Sequence, residues 1–494
     1  MGERAVTDVV VVGSGPNGLA AAVTMARAGL DVHLYEAEPT LGGGARTESL
    51  GLAGNLQHDI CSAVHPLALA SPFFAEFDLP ARGVRFTVPE IAYAQPLDDQ
   101  PAALAYTDLE RTAAALGADG GAWRSLFGPL IQHEPAVLGI GLADMRAIPA
   151  ALRNPSGLLG ALHYGLRVLE QGGPLWNTRF RADAAPALFT GVAAHGIARM
   201  PGLAPAGLGV LLGLLAHTSG WALPVGGSQA IADAMVSDLR AHGVTIHTGT
   251  PIHDYQQLPR ARTYLFDTAP GAIARIWGDR LPPRTATRLR RYRHGNAAAK
   301  VDFVLSEPVP WRDAPVGRAG TVHVGGSRAD MVRAEAQVAA GAHAEQPMVL
   351  LSDPAVADPA RCRDGLRPLW TYAHVPAGST ADVTEAVTAQ IERFAPGFRD
   401  VVVDARCTPA AQMSRTNANY VGGDISNGAL ELRRILGGPL TSLNPYRAGI
   451  PGVYLCSAAT PPAPGVHGMC GHHAARWALR ERFGILQMPG LGPR

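Results

Sequence analysis

Four consecutive valines, Val9–Val12, make a short apolar run with no polar break, the pattern of a strand buried on both faces. Leu19 to Ala28 follows as a helix closed by Gly29, and Asp31–Tyr35 reads as a second strand ending in Glu36. The same kind of reading predicts apolar helices over about 203–217 and 229–242, and strands at 243–247 and Thr263–Asp267, with Thr250-Pro251-Ile252 continuing the first of these. A turn and strand are expected over 293–305, a helix over 384–394, a strand over 450–456 and a last helix over about 470–483. Residues 81–224 read as mostly helical, and 301–400 as strands alternating with helices. The alternation predicts an α/β chain with a parallel sheet.

The first turn carries chemistry. Gly13-Ser14-Gly15-Pro16-Asn17-Gly18 lies between strand and helix, with the acid Glu36 at the end of the next strand. In such a turn the first glycine permits the tight bend and the second lets backbone approach a diphosphate. The third lets helix and strand pack closely, and the acid accepts from a ribose hydroxyl. The helix N-terminus favours the negative charge. A dinucleotide site is therefore expected at Gly13, Gly15, Pro16, Asn17, Gly18 and Glu36. A second cluster, Gly42-Gly43-Gly44 with Arg46, follows directly. A nicotinamide cofactor has no need of it. A longer flavin dinucleotide does, because another loop must approach it without side-chain bulk, and Arg46 suits phosphate or flavin oxygens. Near the other terminus, Ser457 to Pro462 and Gly465-Val466-His467-Gly468-Met469-Cys470-Gly471 link a strand to a helix and form a second anion-friendly turn.

These clusters, with Ser62-Ala63-Val64-His65-Pro66, resemble the phytoene desaturase and amine oxidase superfamily of flavoproteins, the phytoene-dehydrogenase-like branch most closely. The resemblance implies a Rossmann-type FAD-binding domain with a discontinuous α+β substrate domain. It divides the chain into 1–80, 225–300 and 401–494 for FAD and 81–224 and 301–400 for substrate. It places Ser457, Val466, His467, Gly468 and Met469 against the flavin ring and a backbone amide near Ile252 on the adenine. The usual short hairpin after that point is reduced to Asp254–Arg262. It makes Lys300, on its strand, the candidate that holds a water near the flavin, with His467 as a second catalytic candidate. The implied reaction is dehydrogenation of C–H bonds in an apolar, isoprenoid- or polyene-like substrate, with oxygen or a quinone as acceptor. The same fold also serves redox-neutral isomerases, amine oxidases and non-catalytic prenyl-lipid binders.

Composition narrows the field further. The 42 basic and 41 acidic side chains nearly cancel, so no nucleic-acid footprint is present. All the basic residues but Lys300 are arginine. A lysine amine loses its proton on burial more readily than a guanidinium, so this one position can do what arginine cannot. The five cysteines are widely spaced with no CxxC, which argues for a reducing, cytoplasmic setting. The start of the chain does not read as a signal peptide. No formal charge occurs between Arg199 and Asp233, but prolines and glycines break that span. A buried helix over about 203–217, or one that dips into a membrane surface as a peripheral contact, is expected rather than a crossing. His58, His65 and His217 read as core or turn histidines, Asp59 as a cap or a ribityl acceptor, and His472-His473 point to different helix faces, so no metal site is expected.

Overall fold

The computed structural model describes residues 6–144, 150–431, 438–440, 444–462 and 464–493. The valine run forms the centre of a parallel five-stranded sheet. Its order is Val453–Leu455, Ala261–Phe266, Thr7–Val12, Val32–Tyr35, Thr245–His247. Both faces of Thr7–Val12 are covered, as an uninterrupted apolar run requires: Val9 and Val11 pack into one core, Val10 and Val12 into another with Phe266 and Ile273. The helices Pro16–Arg27, Gln229–Ala241 and Met469–Ala478 fall where the sequence places them. No strand follows Ile252; one helical turn, Tyr255–Gln257, leads into Ala261–Phe266.

A second, seven-stranded sheet runs Val402–Thr408, Ala297–Leu305, Arg367–Val375, Val349–Ser352, Ala319–Val324, Ile91–Gln95, Ala103–Tyr106. It is antiparallel except where Ala319–Val324 meets Ile91–Gln95. The mostly helical reading of 81–224 holds with short strands added, and one boundary changes. Residues 81–224 are helical over Gly120–Gln132, Pro155–Gly172, Ala184–Ala193 and Leu203–Ala216, but Ile91–Gln95 and Ala103–Tyr106 are strands. The boundary expected at 300/301 falls inside the strand Ala297–Leu305, and Val402–Thr408 also belongs to this sheet, because a strand is held by the ladder on both of its edges.

Helix Leu203–Ala216, the apolar stripe of the sequence, is buried beneath helix Pro155–Gly172, with Tyr164 Oη–H donating to the Gly207 carbonyl at 3.0 Å. The covering helix turns Leu158, Leu159, Leu162, Leu166 and Leu169 outward, each 45–60% exposed. Among the described residues no helix is long and apolar enough to cross a membrane.

Candidate active site

The first glycine turn is built by backbone contact. Gly13 has φ +95°, and a Cβ there would lie 2.5 Å from the Asp267 carbonyl oxygen. A Cβ on Gly18 would lie 2.1 Å from the Gly13 carbonyl oxygen, so helix Pro16–Arg27 starts flush against the turn. The second cluster stacks on the first: Gly43 would meet the Cα of Gly15 at 2.8 Å, and Gly44 would meet Tyr420 Oη at 2.0 Å. Gly42 bonds back through its N–H to the Ser14 carbonyl at 3.0 Å. Arg46 is buried and already engaged. Its Nε–H donates to the Gly43 carbonyl at 3.0 Å, and its guanidinium pairs with Glu48 at 3.1 Å and reaches the Thr416 carbonyl. The residue thus organises the glycine loop rather than facing the cavity.

Glu36 folds over this turn. One carboxylate oxygen accepts the Ser14 N–H at 2.8 Å and the Ser14 hydroxyl at 2.6 Å, and the other accepts the Glu38 N–H at 2.9 Å. The Ile252 segment is tied to it by the Thr250 N–H on the Glu36 carbonyl at 2.8 Å, while Ile252 itself is buried with Val10, Val12 and Tyr35. Glu36→Ala removes the charged acceptor that the sequence assigns to a ribose hydroxyl. Loss of such a bond weakens binding about tenfold to a hundredfold, to be read by fluorescence titration with FAD.

The two ends of the chain meet. Helix Met469–Ala478 lies against helix Pro16–Arg27 so closely that a Cβ on Gly471 would fall 1.8 Å from the Asn17 carbonyl oxygen. Gly468, at φ +69°, abuts Phe73 and Ala20. His467 is buried, and its Nδ1 accepts the Met469 N–H at 3.0 Å while its carbonyl accepts the Ser71 hydroxyl at 2.5 Å. It braces the turn ahead of the helix, whose N-cap is Gly468, and is not among the residues lining the cavity. Ser457 is buried as well, accepting from Asn427 Nδ2 at 3.3 Å.

A cavity of about 280 Å³ opens at this junction, against about 10 Å³ for the one beside Trp176 and Phe189, so the former is the candidate site. One end is formed by Gly15, Pro16, Asn17, Gly44 and Asp267, the middle by residues 61–67, 417–427 and 464–466, Val466 included, and the other end by the second sheet and its helices. His65 lies in the middle, bonded through Nε2 to Ser228 Oγ at 2.7 Å. Burial pushes its pKa down to about 4 against the pull of Asp59, so it is neutral. Asp59 serves neither as a cap nor on the cavity. Burial opposes its charge, but Arg361 at 3.2 Å and the Ser228 N–H hold its carboxyl below the ordinary range.

Lys300 is buried and ion-paired with Asp302, which also lies 3.5 Å from His58 Nδ1. Its amine is 5.8 Å from the centroid of Trp370, a residue that does line the cavity. In the ladder Lys300 pairs with Tyr372 and Asp302 with Trp370, so the ion pair lies on the same face of the sheet as these two cavity-lining residues, beside them.

Sequence reasoning passed over Asp267. It follows the strand Ala261–Phe266, and its Oδ2 accepts the Gly18 N–H at 2.8 Å in the first turn of the dinucleotide helix. Among the described residues no cation pairs with it. Burial, with Glu36 adding to it against the Gly18 bond, raises its pKa to about 7. An acid directly after a central parallel strand was the available signal. The Asn417–Tyr420 loop was also missed. Asn419 clamps the Asp267 segment, donating to its carbonyl at 3.0 Å and accepting the Ala269 N–H at 2.7 Å.

Comparisons with known proteins agree with this geometry. Residues 11–77 match the NAD(P)-binding Rossmann-like domain. The chain is 22% identical, over 96% of its length and 93% of the relative's, to pyridine nucleotide-disulfide oxidoreductase domain-containing protein 2 of Rattus norvegicus. Its structure is similar to a redesigned putrescine oxidase (TM-score 0.59, 15% identity, 97% and 99% of the two chains). It is also similar to cyclohexylamine oxidase of Brevibacterium oxydans IH-35A (TM-score 0.55, 14% identity, 96% and 98%). The chain has the α/β fold of the flavin amine oxidases, with a parallel-sheet nucleotide domain.

Proposed function

We propose that this protein is an FAD-dependent oxidoreductase of the phytoene-desaturase-like kind that dehydrogenates an apolar, isoprenoid-like substrate. The observation that supports it is a single cavity running from the glycine cradle to a wall containing Leu208, Leu212, Leu350 and Trp370. The cradle fits the cofactor: Gly15 and Gly44 line the cavity where a Cβ would press on Asp267 Oδ2 and Tyr420 Oη, so only glycine keeps this backbone flush with the cavity, and Glu36 stands beside the same turn through its bonds to Ser14. Bound there, FAD would supply the hydride acceptor. The chain's part is to position and to keep dry. Gly15, Pro16 and Asn17 present the helix N-terminus to the diphosphate, Val466 and residues 62–67 line the middle, and Trp221 and Trp370 exclude water at the substrate end. The Lys300–Asp302 pair fixes the charge beside Trp370 and Tyr372, and His467 holds the C-terminal turn in place.

The FAD-loaded protein, mixed anaerobically with a panel of isoprenoid alkenes and amines, is expected to lose its flavin absorbance with the alkenes. Bleaching by amines alone would replace this reading with amine oxidation, the second reading that the fold likeness supports. Turnover with unbleached flavin would make the enzyme an isomerase.

The membrane contact weighed for the 203–217 helix passes in this proposal to the outward leucines of helix Pro155–Gly172, which packs at Gly207 against the helix that carries the cavity-lining Leu208 and Leu212. Leu162→Glu combined with Leu166→Glu is expected to abolish co-sedimentation with phospholipid vesicles while leaving FAD content unchanged.

A further inference from the structure

Strand alternation sorts the seven-stranded sheet into two unlike faces. Val301, Phe303, Leu351, Leu369 and Ala373 belong to a wholly apolar layer. Their neighbours point the other way, toward the cavity, which Thr321, Leu350, Trp370 and Tyr372 line. The register extends this face across the sheet: Thr321 pairs with Tyr93, His323 with Leu350, and Leu350 with Tyr372.

That face is richer in polar atoms than a hydrocarbon site needs. Thr321 Oγ1 and Trp370 Nε1, on residues that line the cavity, have no hydrogen-bond partner in the protein, although each residue is more than nine-tenths buried; Tyr93 Oη and His323 Nδ1, deeper in the same layer, have none either. From the facing helical layer His195, also on the cavity, sets its Nε2 2.8 Å from His323 Nε2, and its ring stands edge-on to Trp221 at 5.4 Å. One ring donates and the other accepts, so exchange of tautomers lets the pair meet either a donor or an acceptor. Burial holds both imidazoles neutral at ordinary pH. The charged groups of the wall are already matched: Lys300 with Asp302, and Glu335 with His374. The wall thus offers hydrogen bonds but no net charge.

We infer that the substrate is an oxygenated apolar molecule whose one neutral hydroxyl or carbonyl group is held at this wall by Thr321, Trp370 and the His195–His323 pair. A pure hydrocarbon would leave these atoms unmatched, and an ammonium or carboxylate would be buried without a counter-ion. The inference rests on the cavity being the substrate site of the proposed flavoenzyme and narrows its substrate class.

Three probes of one skeleton test it: farnesol, the hydrocarbon farnesene and farnesylamine. Their dissociation constants are measured on the FAD-loaded protein by flavin absorbance and, separately, by tryptophan fluorescence. Farnesol is expected to bind at least about tenfold more tightly than the other two, the usual effect of one matched buried hydrogen bond. Thr321→Val and Trp370→Phe, each alone, are expected to shrink that preference by weakening farnesol more than farnesene. Equal binding of farnesol and farnesene, no binding of farnesol, or a preference indifferent to both substitutions would overturn the inference. The wild-type ratio decides the matter if a variant fails to fold. The tryptophan signal does not depend on flavin, so a protein that takes up no FAD would remove the proposed function while the ratio still judged the wall.

Discussion

Gly15→Val is expected to give a folded protein that binds FAD at least about a hundredfold more weakly, a loss of about 2.7 kcal/mol. Gly15 has φ −62° and ψ 170°, a conformation open to a branched residue, so the turn itself tolerates the change. Space does not. The new Cβ would lie 2.5 Å from Asp267 Oδ2. Either the added methyls project into the cradle, or Asp267 is pushed off the Gly18 N–H. In both cases the surface that faces the diphosphate is lost. Fluorescence titration with FAD measures the affinity, and an unchanged thermal unfolding midpoint of the cofactor-free protein separates a filled cradle from a damaged fold.

Asp267 leads to the second large effect, a dependence of FAD binding on pH. A buried carboxyl with a pKa near 7 is half ionised at neutrality, and the diphosphate of the proposed FAD would bring further negative charge to the same place. Charge repulsion favours the protonated acid in the complex, so binding above about pH 7 takes up a proton, and affinity falls by up to about tenfold per pH unit. Asp267→Asn keeps the shape and removes the titration, so its affinity is expected to stay flat from about pH 6 to 9 and to exceed that of the wild type at the upper end. The folded protein without cofactor follows the same sign. A carboxyl whose pKa is raised in the fold contributes stability below its unfolded value near 4, and that contribution is lost as pH rises toward 7. Dissociation constants at several pH values, with calorimetric proton uptake in two buffers, check both statements.

The nucleotide half was legible because its signals are local. A four-valine strand, a glycine turn, an acid at the next strand's end and a second glycine cluster each act within a few residues. The C-terminal turn was legible for the same reason, and its contact with the first helix is made through Gly471, a residue whose smallness is visible in the sequence. Ile91–Gln95 was not legible. All five of its residues are buried, so it shows no alternation, and its alanines read as helix. Its state is decided by pairing with Ala319–Val324, more than two hundred residues away. Lys300 lay between. Its strand was evident, and Asp302 two residues on must share its face, yet only the folded sheet places that pair beside Trp370 and Tyr372. Asp267 owes its shifted pKa to burial under the glycine turn, a property that no residue pattern carries.

The central claim is that a single FAD is gripped by both extremities of the chain at once. Hydrogen–deuterium exchange of the backbone, with and without added FAD, tests it most directly. The account predicts that FAD slows exchange together in the peptides covering 13–18 and 464–471, at one cofactor per chain. Slowing confined to one of these two stretches, or no uptake of FAD at all, would contradict it.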